Sequence, residues 1–71
     1  MKASINVRFG ERVKTLRKAT GLSQEEFAER CGFARSYMSK VERGKANPSL
    51  DAVQTLADAL KVKVRDLFEN T

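Results

Sequence analysis

No histidine occurs in the 71 residues of this chain, and cysteine occurs once, at Cys31. The first absence removes the side chain that most often serves as a general base or a metal ligand. It leaves Ser23 without an imidazole to activate it, so that serine is a helix cap rather than a nucleophile. No metal site is expected, because a lone cysteine and the scattered carboxylates of Asp51, Asp58, Asp66 and Glu69 make no ligand cluster. A single cysteine closes no internal disulfide. No apolar run approaches the roughly 18 residues of a membrane-spanning helix. The N-terminal MKASINVRFG lacks the long apolar stretch of a signal peptide. With no triad, phosphate loop or carboxylate pair, neither an enzyme nor a cofactor is expected, and the composition suits a reducing cytosol.

What is present is positive charge, and it is segregated. The net charge is +5, which favours an anionic partner. Residues 1–21 carry Lys2, Arg8, Arg12, Lys14, Arg17 and Lys18 against Glu11 alone. Residues 34–47 carry Arg35, Lys40, Arg43 and Lys45 against Glu42 alone, whereas residues 22–33 are net acidic. A basic surface that merely solubilised the protein would not cluster by segment.

The hydrophobic pattern is helical throughout, and a single all-α domain over residues 1–71 with five helices is expected. Phe9, Val13, Leu16 and Thr20 recur at helical spacing over residues 4–20, with Ser4 as N-cap and Gly21 as C-cap. Gly10 inside this helix marks either the close approach of a neighbour or a weak first turn. Ser23 and Glu26 form a capping box that opens a second helix ending at Gly32. A third helix spans about residues 34–43 and stops at Gly44. Pro48 and Ser49 then open a fourth, whose apolar stripe reads Leu50, Val53, Leu56, Ala57 and Leu60. A short fifth is expected over residues 64–68. Phe27, Phe33 and Phe68 read as core aromatics, not as a platform for stacked bases. Cys31 reads as a semi-buried filler.

The second and third helices, joined by a tight turn at Gly32, form the most informative unit. Ala28 must be small where the third helix passes over it, and Met38 and Val41 line the inner face of that helix. Its outer face presents Arg35, Ser36, Ser39, Lys40 and Arg43. Such a helix can lie in the major groove of DNA while its back is held by a small core.

The stretches GERVKTLRKATGLSQEEFAERCG, SYMSKVERGKANPSLDAVQTLADAL and KVKVRDLF resemble the lambda-repressor-like helix-turn-helix proteins of the Cro/Xre family. The small size also resembles the controller proteins of restriction-modification systems and small phage or plasmid repressors. The resemblance implies a five-helix domain that binds a short operator as a dimer. It implies that Arg35, Ser36, Ser39 and Lys40 face the base edges, with Arg35 the preferred reader of guanine. It implies phosphate contacts from Gln24, which also braces the next helix, and from Tyr37, Arg43, Lys45 and Asn47. It further implies a partly buried structural salt bridge between Arg17 and Glu42. The chain departs from the family pattern at Ala34, where serine or threonine commonly caps the third helix.

The function expected is a sequence-specific regulator of transcription that binds double-stranded DNA as a homodimer on a pseudo-palindromic operator. Bound there, it would block RNA polymerase or recruit it. The alternative is a protein-interaction module, an antitoxin or coactivator, on the same fold. A domain of this size draws only about 3–5 kcal/mol from its core, so association is favoured. Val62, Val64, Leu67 and Phe68 exceed what one small core face absorbs, and some of them, with part of the fourth helix, are expected to form a two-fold interface; the alternative is that all four pack internally and the protein pairs only on DNA.

Overall fold

The computed structural model describes residues 4–68. Residues 1–3 and 69–71, with Lys2 and Glu69 among them, lie outside the described part. The described residues form four α-helices: α1 over Ile5–Thr20, α2 over Gln24–Cys31, α3 over Arg35–Glu42 and α4 over Leu50–Leu60. A 3-10 segment over Val64–Phe68 follows. No strand occurs among the described residues.

The expected fifth helix is therefore corrected to a short 3-10 turn. Five residues are too few to repay α-helix nucleation. The Asp66 carboxylate accepts from the Lys63 amide at 2.9 Å, and the Asp66 amide donates to the Lys63 carbonyl at 2.9 Å. The backbone bond, between residues three apart, is that of a 3-10 turn, and the carboxylate caps its start. Arg12 of α1 ties the segment down, its Nε donating to the Asp66 carbonyl at 2.8 Å.

The helix starts follow from their caps. Ser4 Oγ accepts from the Val7 amide at 3.2 Å, and Ser49 Oγ accepts from the Ala52 amide at 3.1 Å. At α2 the box is reciprocal: the Glu26 amide donates to Ser23 Oγ at 3.1 Å and the Ser23 amide donates to Glu26 Oε1 at 2.9 Å. The bond from the Ser23 backbone, and then that from its hydroxyl, holds the Glu26 carboxyl below the ordinary carboxylate value. The box is complete at neutral pH and is lost as acid protonates that group.

α3 begins without such help, because Ala34 occupies the N-cap with an extended backbone and offers no side-chain acceptor. Ala34→Ser is expected to add about 1 kcal/mol of stability, raising the melting temperature by roughly 4–8 °C for a domain of this size. A thermal melt that does not move would mean that the first amides of α3 are already satisfied.

The core consists of Phe9 and Val13 of α1, Phe27 and Ala28 of α2, Met38 and Val41 of α3, four residues of α4 (Val53, Leu56, Ala57 and Leu60), and Leu67. α3 packs on both α1 and α2, and the 3-10 segment closes the other side against α1 and α4. Three expectations need correction. Leu50 is 88% exposed, because as the first residue of α4 it lies beyond the edge of the core. Thr20 is exposed on the last turn of α1. Leu67 is wholly buried and cannot contribute to an interface between copies without unfolding its own domain. Phe68 is partly exposed, resting on Phe9 with ring centroids 5.1 Å apart, and Phe33 is half-buried.

Candidate nucleic-acid interface

α3 is divided lengthwise. Met38, Val41 and Glu42 are buried on one side, whereas Arg35, Ser36 and Lys40 are exposed on the other. Arg43, directly after the helix, is exposed as well. Residues 35, 36, 39, 40 and 43 fall on one helical stripe. Eight residues give a helix about 12 Å long, the scale of the major groove of B-DNA.

The buried side is held by an ionic clamp. Arg17 of α1 donates from Nε to Glu42 Oε2 at 2.7 Å and from Nη2 to Glu42 Oε1 at 3.0 Å. Its Nη1 donates to the Leu22 carbonyl at 2.9 Å, tying in the turn before α2. Gln24, at the start of α2, donates from Nε2 to Glu42 Oε1 at 3.2 Å. One carboxylate at the end of α3 thus joins the first three helices. Both charged residues are buried, Arg17 to 7% and Glu42 to 6% exposure. The paired, two-bond geometry resists rotation of α3 about its axis.

The other residues singled out in the sequence fall into distinct settings. Arg35 lies 3.8 Å from Glu25 of α2, with side chains 66% and 74% exposed. An ion pair so open to water contributes about 0–1 kcal/mol, too little to keep Arg35 from a stronger acceptor. Ser39 is half-buried, and Arg43 folds back on it, Nε donating to Ser39 Oγ at 3.2 Å and to its carbonyl at 3.3 Å. These two side chains therefore form one unit. Tyr37 is half-buried, edge-to-face with Phe33 at 5.0 Å. Lys40 and Lys45 are exposed, and the Lys45 amide donates to the Lys40 carbonyl at 2.8 Å as the chain leaves α3.

The loop that carries Lys45 and Asn47 is seated on the first turns of α1. Gly44 adopts φ 73°, and an added Cβ would stand 2.6 Å from the Val7 Cα, so the position demands both a left-handed backbone and no side chain. Asn47 is exposed, and its Oδ1 accepts from Asn6 Nδ2 at 2.6 Å. Neither Asn6 nor Glu25 stands out in the sequence. Asn6 meets its partner across 41 positions, a separation no local pattern signals.

Cys31 is half-buried, and burial raises its thiol to about 11, so at neutral pH it is a protonated, unreactive filler. Among the described residues no group of three or more histidine, cysteine, aspartate or glutamate side chains could hold a metal ion, and no helix is long and apolar enough to cross a membrane. Away from α3, an open apolar hollow of about 170 Å³ is lined by Ile5, Asn6, Phe9, Pro48, Leu50, Val53 and Phe68.

The profile of the family described as "Helix-turn-helix domain" matches residues 8–70. The control protein C.BamHI of Bacillus amyloliquefaciens is 38% identical over 72 residues, an alignment covering 100% of this chain and 89% of the relative. Among solved structures, the restriction-modification controller protein C.AhdI from Aeromonas hydrophila superposes with a TM-score of 0.85 at 50% identity, over 87% of this chain and 94% of that one. SinR, a master regulator of biofilm formation solved in complex with DNA, superposes with a TM-score of 0.81 at 39% identity, over 86% of this chain and 98% of that one.

Proposed function

The chain belongs to the helix-turn-helix domain family, and on that premise we propose that it regulates transcription as a homodimer on a pseudo-palindromic DNA operator. The observation that carries this reading is the exposed stripe of Arg35, Ser36 and Lys40 on a helix whose reverse side is clamped by Arg17, Glu42 and Gln24. Rigid mounting on one side and hydrogen-bonding groups on the other are what major-groove readout requires. Arg35 is assigned to guanine, with Ser36, Ser39 and Lys40 beside it. Arg43, Lys45, Asn47, Tyr37 and Gln24 are assigned to the phosphates, which set register without reading sequence. The names of the relatives point to regulation rather than catalysis. Occupancy of the operator would exclude RNA polymerase or, from an adjacent site, contact it.

Arg35→Ala is expected to flatten the base preference at one position in each half-site, weakening the operator by about 1–3 kcal/mol per lost bidentate contact. Selection from random DNA with the wild type and the variant in parallel tests it; identical selected sequences would remove Arg35 from the readers. Lys45→Ala is expected to weaken all sequences alike and to reduce the salt slope by about 0.9. A slope equal to that of the wild type would deny Lys45 a phosphate.

The two-fold interface is assigned to the hollow beside α4. Ile5, Leu50 and Phe68 are exposed to 55%, 88% and 38%, and all line it. Phe68 and the start of α4 stay in the proposed interface and Leu67 leaves it, while Val62 and Val64 are half-buried against the core. Leu50→Glu is expected to yield a monomer in sedimentation that is still folded, because Leu50 makes no part of the core. An unaltered dimer would place the contact elsewhere.

A further inference from the structure

We propose that Asn6, on the first turn of α1, is a positioning residue that aims the Asn47 side chain at the DNA backbone. The inference rests on the reading of Asn47 as a phosphate contact. A carboxamide has two different ends, an oxygen that only accepts and a nitrogen that only donates. A phosphate accepts only, so Asn47 is useful to DNA in one orientation, with Nδ2 outward. The bond from Asn6 Nδ2 to Asn47 Oδ1, at 2.6 Å, occupies the oxygen from the protein side. This leaves the donor end of Asn47 as the end turned toward a ligand. Asn6 is half-buried, whereas Asn47 is exposed, so the more enclosed partner orients the more exposed one.

The backbone around Asn47 is already fixed. Gly44 is pressed against Val7, the residue after Asn6, Ala46 packs against the core, and Pro48 lines the hollow that Asn6 also borders. What remains to be ordered is the Asn47 side chain itself, and Asn6 does this before DNA arrives. Preorganisation of that kind avoids the cost of freezing a side chain on binding, about two- to tenfold in affinity per side chain.

The test is a cycle of Asn6→Ala, Asn47→Ala and the double variant, with binding to the selected operator and to unrelated DNA measured over a range of salt. Asn6→Ala is expected to weaken both DNAs by about two- to tenfold, with no change in base preference. The salt slope should stay the same, because a neutral amide releases no counterion. In the Asn47→Ala background, Asn6→Ala should have no further effect. Asn6→Asp is a second probe. Its carboxylate accepts only, so it draws Asn47 Nδ2 inward and turns the oxygen to the phosphate. It should weaken binding more than Asn6→Ala, and part of the excess should vanish when Asn47 is alanine. Both substitutions suit the first turn of a helix, and unchanged melting and sedimentation would confirm that fold and assembly are intact.

Equal losses from Asn6→Ala with and without Asn47 would overturn the proposal, as would a loss that tracks a change in sedimentation. If Asn47→Ala alone leaves binding intact, the phosphate reading of Asn47 fails and the inference fails with it. If Asn47→Ala weakens binding and Asn6→Ala does not, only the inference fails.

Discussion

Glu42→Ala is expected to destabilise the domain by about 3–5 kcal/mol. The substitution leaves the Arg17 guanidinium buried without its carboxylate, and also removes the acceptor of Gln24. Because a domain of this size retains only about 3–5 kcal/mol in total, the variant should be largely unfolded at room temperature. Arg17→Ala should behave similarly, since it strands the Glu42 carboxylate and frees the Leu22 carbonyl. The paired replacement Arg17→Met with Glu42→Leu should recover much of the loss, as buried ion pairs exchanged for apolar side chains of similar volume often cost little. Denaturant titration of the singles and the pair measures the coupling. If the single variants keep the wild-type midpoint, the pair is not stabilising and the mounting of α3 must be sought elsewhere.

Gly10→Ala has the next largest expected effect, and its sign opposes helix propensity. Alanine in mid-helix is favoured over glycine by roughly 1 kcal/mol. Here the added methyl would overlap the Val41 carbonyl oxygen and stand 2.9 Å from that of Glu42. Both are backbone atoms at the end of α3, which cannot rotate aside as a side chain could. α1 and α3 must separate, a net loss of about 1–3 kcal/mol being typical of such overpacking. The shift also tilts the helix that carries Arg35, so operator affinity should fall further than stability alone explains. A more stable Gly10→Ala protein, as judged by thermal melting, would show that the two helices are not in close contact.

Much of the fold is legible in the sequence, for local reasons. Ser4, Ser23 and Ser49 each begin a helix, because a hydroxyl facing the amide three residues on is a short-range device. The capping box of Ser23 and Glu26 is likewise complete within four residues. The close approach at Gly10 is one of two readings its pattern allows, and the choice between them needs the backbone of α3, some thirty positions away. Periodicity places Leu50 with Val53, Leu56 and Leu60, yet cannot say that the core ends one turn short of it. Counting apolar residues near the C-terminus shows a surplus but not which one turns inward; Leu67 does, while Phe68 stays partly exposed. The fifth helix fails for a related reason, since five residues are too few to repay α-helix nucleation and settle into a 3-10 turn.

The candidate site is less legible than the helices. The polar stripe of α3 follows from spacing alone, but Arg17 and Glu42 lie 25 positions apart, and only the family resemblance pairs them. The pairing of Ser39 with Arg43 is local, since residues four apart on a helix are neighbours. The bond between Asn6 and Asn47 had no such signal.

Selection of bound sequences from random double-stranded DNA, followed by footprinting of the winner, tests whether α3 reads an operator. A pseudo-palindrome is expected whose half-sites are centred about 34–36 Å apart, with a guanine in each half-site that loses its preference in Arg35→Ala. Recovery of no sequence above the random background, or binding that Arg35, Ser36 and Lys40 do not influence, would contradict it.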